Sequence, residues 1–366
     1  MTITIISIVV LLAIIVFLFM QQAQFGKLPS GKRLERIKQS PNYKDGSFKN
    51  LSFTPDLAEG VTYYSVMKEF LFGKKVRLKP IDEIPHTKID LKSLNPTENI
   101  LVWFGHSSYF MQLDGKTFLV DPVFSGGASP IKATTRSFRG TDIYSVADFP
   151  DIDFLFISHD HYDHLDYETI IELKPKIKKI ITGLGTGEHF EHWGFDLNKI
   201  EERDWNEKIE LANGFVAYTV PARHFSGRGF SRNKALWTSF VLQTPTNKIF
   251  IGGDSGYDTH FAKIGETYDG FDLVILENGQ YDKSWKYIHM MPEEVIQAAK
   301  DLKAKRLFPV HSSKFALGNH PWDEPLNRVS AAAEKENFPI ITPIIGEKVD
   351  LKDTNKVFSK WWVGVK

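Results

Sequence analysis

The chain has 366 residues, 42% hydrophobic and 25% charged, enough for one large core with an extension and too short for three ordinary domains. Lysine plus arginine and aspartate plus glutamate stand at 45 each, so the balance excludes a nucleic-acid partner held by bulk charge. Cysteine is absent, which rules out disulfides and restricts any metal site to nitrogen and oxygen ligands.

The first twenty residues, MTITIISIVVLLAIIVFLFM, carry no charged side chain. About 20 apolar residues in a helix span the hydrocarbon core of a bilayer. A cleaved signal peptide would have a basic start and a small-residue cleavage site, and neither is present. A buried core helix would need protein on all sides. The expectation is a single-pass anchor over residues 1–20. Lys27, Lys32, Arg33, Arg36 and Lys38 follow against Glu35 alone, which by the positive-inside rule puts the bulk of the chain on the cytoplasmic side.

Residues 21–60, rich in Gly, Pro, Ser and Lys, read as a linker or an arm laid over the surface. Residues 61–95 contain the aromatic run YYSVMKEFLF, a helix that docks on the domain or on a membrane surface, with docking on the domain the expected role. From residue 96 to 366 the texture is that of one α/β domain. ILVWF, TFLVD, DFLFIS, KKIIT, FVAYTV, SFVLQT, KIFIGGD, DLVIL and RLFPV are short β-branched and aromatic runs between Gly, Asp and Pro turns, which is strand texture. Runs that are apolar throughout imply strands covered on both faces. PEEVIQAAKDLKA predicts a helix, with Pro292 in its first turn and Val295, Ala298, Ala299 and Leu302 on one stripe. Mixed elements of this kind predict an α/β sandwich.

The chemistry concentrates in FLFISHDHYDHLDYETI. The apolar strand ends at Ser158, and His159 and His161, two apart in extended backbone, point the same way toward one metal ion. Asp163 and His164 follow as the chain turns, and can face a second ion. Imidazole and carboxylate suit Zn²⁺, Mn²⁺ or Fe. An H-x-H-x-D-H match arises by chance in roughly one chain per thousand, so a mere polar loop is a poor explanation. His224, Asp254 and His311 each lie just past an apolar strand, where a sheet edge would deliver them to the same rim.

The order HxHxDH, His, Asp, His resembles the metallo-β-lactamase-fold hydrolase superfamily. Within it, WFGHSSYFMQLDGKTFLVDPVFSGGASP, ISHDHYDHLDY, PARHFSGRG, FIGGDSGY, WKYIHMMPEE and FPVHSSKFAL are similar to the branch of N-acylphosphatidylethanolamine-hydrolysing phospholipases D. The resemblance covers about residues 95–345. It implies an αββα sandwich and two metal ions, expected as Zn²⁺ with Mn²⁺ or Fe as alternatives. His159, His161 and His224 match the ligands of the first ion. Asp163, His164 and His311 match those of the second, and Asp254 the carboxylate between them. Asp163 is also expected to handle the proton of the nucleophile, and His289 matches a histidine of the substrate pocket that binds phosphate or protonates the leaving group. Arg228, Arg232 and Tyr281 are expected near substrate, and His106 behind the ligands. ENGQYDKSW departs from the branch's pocket wall, which leaves the lipid head group open. The implied activity is hydrolysis of a phospholipid phosphodiester. A soluble lactone, ester or phosphodiester is the alternative within the fold, and a metal-free scaffold the alternative outside it.

Overall fold

A computed structural model describes residues 2–366. Met1, the first residue of the expected anchor, lies outside the described residues. The chain opens with helix α1 (Thr2–Met20), helix α2 (Gly31–Lys38), a small hairpin of β1 (Tyr43–Lys44) and β2 (Ser47–Phe48), and helix α3 (Tyr63–Phe72). The main body then runs β3 (Ile100–Trp103), β4 (Tyr109–Leu113), β5 (Lys116–Val120), β6 (Ile152–Ile157), α4 (Tyr167–Leu173), β7 (Ile177–Gly183), α5 (Gly187–His192), β8 (Ile200–Arg203), β9 (Lys208–Ala212), β10 (Phe215–Val220), β11 (Ser239–Gln243) and β12 (Lys248–Ile251). It closes with α6 (His260–Tyr268), β13 (Leu273–Glu277), α7 (Pro292–Asp301), β14 (Leu307–Val310), α8 (Glu324–Glu336) and β15 (Lys348–Asp350).

Seven strands form one sheet in the order β15-β3-β4-β5-β6-β7-β8, and six form the other in the order β14-β13-β12-β11-β10-β9. Successive strand residues face opposite ways, and the apolar runs exploit this. Phe154 and Phe156 of β6 join Ile249, Ile251 and Ile275 in the core between the sheets. Leu155 and Ile157 face outward with Ile170, Leu173 and Phe190 under α4 and α5. Phe250, Val274 and Leu276 face outward with Phe261, Ile264, Val295, Ala298 and Val329 under α6, α7 and α8. Helices therefore cover both outer faces, giving the αββα sandwich expected from the sequence.

Residues 21–60 take the second of the two expected forms, an arm packed over the surface. Ile37 and Phe48 are fully buried with Leu184, Trp205 and Trp237, and Arg33 is held by Glu188 and Glu202. Helix α3 does not dock on the domain, since none of its residues is buried. Helix α1 is long and apolar enough to cross a membrane, and the protein covers none of its apolar window, which removes the core-helix alternative.

Candidate metal centre

Strand direction builds the site. β5 and β6 are parallel with Val120 opposite Phe156, so Asp121 and His159 emerge at one edge. β12, β13 and β14 are also parallel, with Ile251 opposite Ile275 and Glu277 opposite Val310, which brings Asp254, Glu277 and His311 out together. β10 and β12 each pair antiparallel with β11, so β10 points the same way and delivers His224. Gly253 permits the close approach of the two sheets here. A Cβ on it would stand 2.8 Å from Ser158 Cβ and from Thr238 O.

All seven residues expected as ligands meet at this edge, in two overlapping groups. The ring nitrogens of His159, His161 and His224 lie within 4.8 Å of one another, and Asp163, His164 and His311 gather with His106 in the same way. Asp254 Oδ2 lies between the groups, 3.9 Å from His159 Nε2 and 3.7 Å from His224 Nε2 on one side. On the other it lies 3.2 Å from His164 Nε2 and 3.3 Å from His311 Nε2.

Outer hydrogen bonds fix which nitrogens face inward. His224 Nδ1 donates to Ile288 O at 2.9 Å, and His164 Nδ1 to Asp121 Oδ2 at 2.8 Å. Carbonyl and carboxylate oxygens only accept, so in the singly protonated ring it is Nε2 that turns a lone pair inward. Ser158 Oγ donates to Asp121 Oδ2 at 2.6 Å and accepts from His159 Nδ1 at 3.0 Å, which frees His159 Nε2 as well. His161 Nδ1 then sits 2.8 Å from His159 Nε2 and 3.3 Å from His224 Nε2. His164 Nε2 and Asp254 Oδ1 are buried without any hydrogen-bond partner. Converging lone pairs and orphaned buried acceptors are the arrangement a cation satisfies, so the donor set fits a metal.

Electrostatics divides the two groups. Burial holds His159, His161 and His224 below the usual imidazole value, with His161 at about 4, so the three are neutral near pH 7. Burial also opposes charge on His311, but Asp254, Asp163 and Glu277 outweigh it and lift His311 to about 10. Burial likewise works against Asp163 and Asp254 as anions, yet neighbouring histidines pull both well below the carboxylate range. This half of the site has a surplus of negative charge that draws cations. His106, Asp121 and His311 sit in the left-handed region at φ of 52°, 40° and 68°. Such strain persists where surrounding bonds over-determine it. Here His106 N donates to Ser312 O at 2.8 Å and His311 N to His106 O at 2.9 Å.

The remaining candidates separate. His106 Nε2 donates to Asp163 Oδ2 at 2.9 Å, behind the ligand group. His289 Nδ1 donates to Glu277 Oε2 at 2.6 Å, leaving Nε2 for a substrate. His289 lines a cavity of about 260 Å³ with Arg232, Leu57, Tyr63, Phe225, Trp285 and others. Arg232 stacks over Phe225 and pairs with Asp56 at 2.9 Å. Arg228 departs from its expectation. It is buried, stacks on Tyr162, and donates to the carbonyls of Asp160, Leu165 and Gln24. It clamps the HDHYDH loop to the N-terminal arm, with four of its five N–H donors engaged by those carbonyls. Tyr281 also departs, being buried with its hydroxyl donated to Glu324 Oε1 at 2.9 Å and its ring stacked on His320. Sequence reasoning passed over Asp121 and Glu277. Both follow or end apolar strands, the same signal that marked Asp254.

Fold and donor set together define a metal-dependent hydrolase. The Beta-lactamase superfamily domain matches residues 116–312, and the chain belongs to that superfamily. An uncharacterized protein of Mycobacterium tuberculosis is 36% identical over 89% of this chain and 88% of its own length. N-acyl-phosphatidylethanolamine-hydrolyzing phospholipase D 1 of Caenorhabditis elegans is 29% identical over 77% of this chain and 88% of its length. The solved structure of Igni18, a metallo hydrolase from Ignicoccus hospitalis, shares the fold at a TM-score of 0.53 and 20% identity, covering 69% of this chain and 98% of that one.

Proposed function

We propose that the protein is a membrane-anchored hydrolase that cleaves a phospholipid phosphodiester in the manner of a phospholipase D, with two Zn²⁺ ions as cofactor. The observation that carries this reading is a cavity that adjoins the donor cluster through His289, whose ring lies 5.0 Å from that of His224 and 5.3 Å from that of His311, and that has an apolar wall of Leu57, Tyr63, Phe225, Trp285, Ile288 and Leu317 with a cationic Arg232 paired to Asp56. An apolar wall with few fixed polar groups suits an acyl chain and its phosphate. Relationship to the phospholipase D of C. elegans supports the substrate class.

His159, His161 and His224 would hold one ion, Asp163, His164 and His311 the other, with Asp254 between them. Two such ions, when bound, lower the pKa of water and polarise a phosphoryl group. The chain's own residues do the rest. Asp163, steadied by His106, takes up the proton of the attacking water. Arg232 holds a phosphoryl oxygen, with Asp56 as its resting partner. His289, held at Nδ1–H by Glu277, gives up the Nε2 proton of its doubly protonated form to the leaving oxygen. Lys27, Lys32, Arg33, Arg36 and Lys38 beyond α1 favour a cytoplasmic catalytic domain.

The test is a screen of metal-loaded protein against phospholipid classes, with products identified by mass spectrometry and metal counted by elemental analysis. A free head group and phosphatidic acid are expected from the parent, and Asp254→Asn should lose both turnover and metal. Hydrolysis of lactones or soluble esters alone would overturn the lipid reading. Fewer than one transition-metal ion per chain after reconstitution would overturn the dinuclear one.

A further inference from the structure

Helix α3 is well formed yet buries none of its residues. Its start is closed by a reciprocal pair, Thr62 Oγ1 accepting from Ser65 N at 3.1 Å and Ser65 Oγ from Thr62 N at 3.0 Å. At about 100° per residue, Tyr63, Tyr64, Val66, Met67, Phe70 and Leu71 share an arc of about 160°, opposite Ser65, Lys68 and Glu69, with the terminal Phe72 alone among the apolar residues on the polar side. The arc lies open to solvent, with Tyr64 77%, Phe70 61% and Leu71 59% exposed. Apolar surface of this size, unpartnered in a soluble setting, marks an interaction face.

The face borders the catalytic cavity. Tyr63, at its start, lines that cavity together with Phe225 and Arg232. The loop carrying Phe225 and Arg232 also carries Phe230, 85% exposed, and meets the end of α1. Met20 Cε lies 2.9 Å from where a Cβ on Gly229 would stand, and Phe25 packs edge-on against Tyr162. The exit of α1 and the apolar face of α3 thus lie on one rim of the site. Lys74, Lys75 and Lys79 follow α3 directly, charge that complements anionic head groups, whereas Arg77 between them is paired with Asp323.

We infer that α3 is an in-plane membrane helix that sets its apolar arc into the bilayer surface and holds the mouth of the cavity against lipid. The inference rests on α1 residing in the same bilayer. A lipid surface is the fitting occupant because the arc is continuous with the exit of the anchor and is flanked by basic residues. A peptide partner or second copy would require neither.

The cysteine-free chain allows a direct test. Full-length Leu71→Cys and Glu69→Cys variants, each carrying an environment-sensitive fluorophore, are reconstituted into vesicles of phosphatidylcholine and phosphatidylglycerol that contain a spin-labelled lipid. The probe at 71 is expected to be quenched by the lipid label and shielded from aqueous iodide, and the probe at 69 to show the reverse. The joint substitution Met67→Glu, Phe70→Glu and Leu71→Glu should lower turnover of vesicle-embedded substrate roughly tenfold or more while sparing a short-chain soluble one. Both probes reporting water on vesicle-bound protein would overturn the inference. Shielding at 71 in detergent, without quenching by lipid, would mean a second copy covers the face and would also overturn it. Failure of the chain to float with vesicles would remove the anchor reading and this inference together. Lipid quenching at 71 with no phospholipid hydrolysed would uphold the docking face and remove the proposed substrate.

Discussion

Replacing Glu277 with glutamine probes how the centre keeps its ligands in the right tautomer. Glu277 is 1% exposed. Its Oε1 accepts from Met290 N at 2.9 Å and Ser255 N at 3.2 Å. Its Oε2 accepts from His289 Nδ1 at 2.6 Å and stands 3.3 Å from His311 Nδ1. Glutamine has the same shape but one of its two ends is a donor. The oxygen must face the two backbone N–H groups, so the amide NH₂ faces both imidazoles. In the singly protonated form that a metal needs, His289 and His311 must then accept at Nδ1 and carry the proton on Nε2. For His311 that proton points at Asp163 and Asp254, each 3.3 Å away, and blocks the lone pair a metal needs. Reverting to the original tautomer sets donor against donor in a buried place, a cost of about 1–3 kcal/mol. That corresponds to a loss of about 10–100-fold in metal affinity, the usual scale for a partner lying behind a ligand. Competitive titration of Glu277→Gln against a chromophoric chelator measures the affinity, and nitrogen-15 NMR of the metal-free protein above pH 10, where His311 holds a single proton, reads the tautomers directly. Saturating metal should restore occupancy but not full kcat, because His289 remains misoriented. Parent-like affinity together with Nδ1–H on both rings would refute the reasoning.

His289→Ala should keep its metal and lose roughly 10²–10⁴-fold in kcat with KM little changed, if Nε2 serves the leaving oxygen; steady-state kinetics beside elemental analysis separates the two effects. Removal of residues 1–20 should leave metal content and turnover of a detergent-dispersed substrate intact. Removal of residues 1–27 should not, because Arg228 Nε and Nη2 then lose the Gln24 carbonyl at 2.9 and 2.6 Å, and His189 Nδ1 loses the Lys27 N–H. Two buried donors left without acceptors cost about 1–3 kcal/mol each, visible as a fall of several degrees in Tm. Burial holds His260 at about 4, below its ordinary 6.5, so the unfolded chain takes up that proton first as the pH falls. Stability of the metal-free protein is therefore lost as pH drops from 6.5 toward 4, by up to ~1.4 kcal/mol per pH unit for this group. His260→Gln should flatten the dependence by up to one proton in urea unfolding across that range, and an unchanged slope would show that His260 is not held neutral.

The sequence by itself determined the sandwich and the position of its ligands along the chain. Runs such as IDFLFI and LVILE are apolar on both faces, a pattern that only a strand covered by helices and by a second sheet satisfies. The candidate ligands were legible because each follows such a run, and the end of a strand is where a sheet presents side chains to a shared edge. Strands β8 and β9, IEER and KIELA, were not legible, since charged residues break the apolar signal on an exposed margin. Ile37 and Phe48 were hidden in a polar arm, because two isolated apolar residues carry no period.

Tertiary structure alone decided the division of labour among polar residues. Arg228 and Arg232 are four residues apart in one loop, yet Arg228 is locked onto the carbonyls of the HDHYDH loop while Arg232 lines the cavity. Which of them meets substrate depends on which carbonyls come within reach, and those belong to segments as distant as Gln24 and Leu165. Glu277 acquires its role in the same way, from the parallel pairing of β13 with β14 that sets it beside His311. A hydrogen bond needs its donor and acceptor within about 3 Å, a condition that local pattern along a chain cannot encode and only packing between distant segments fulfils.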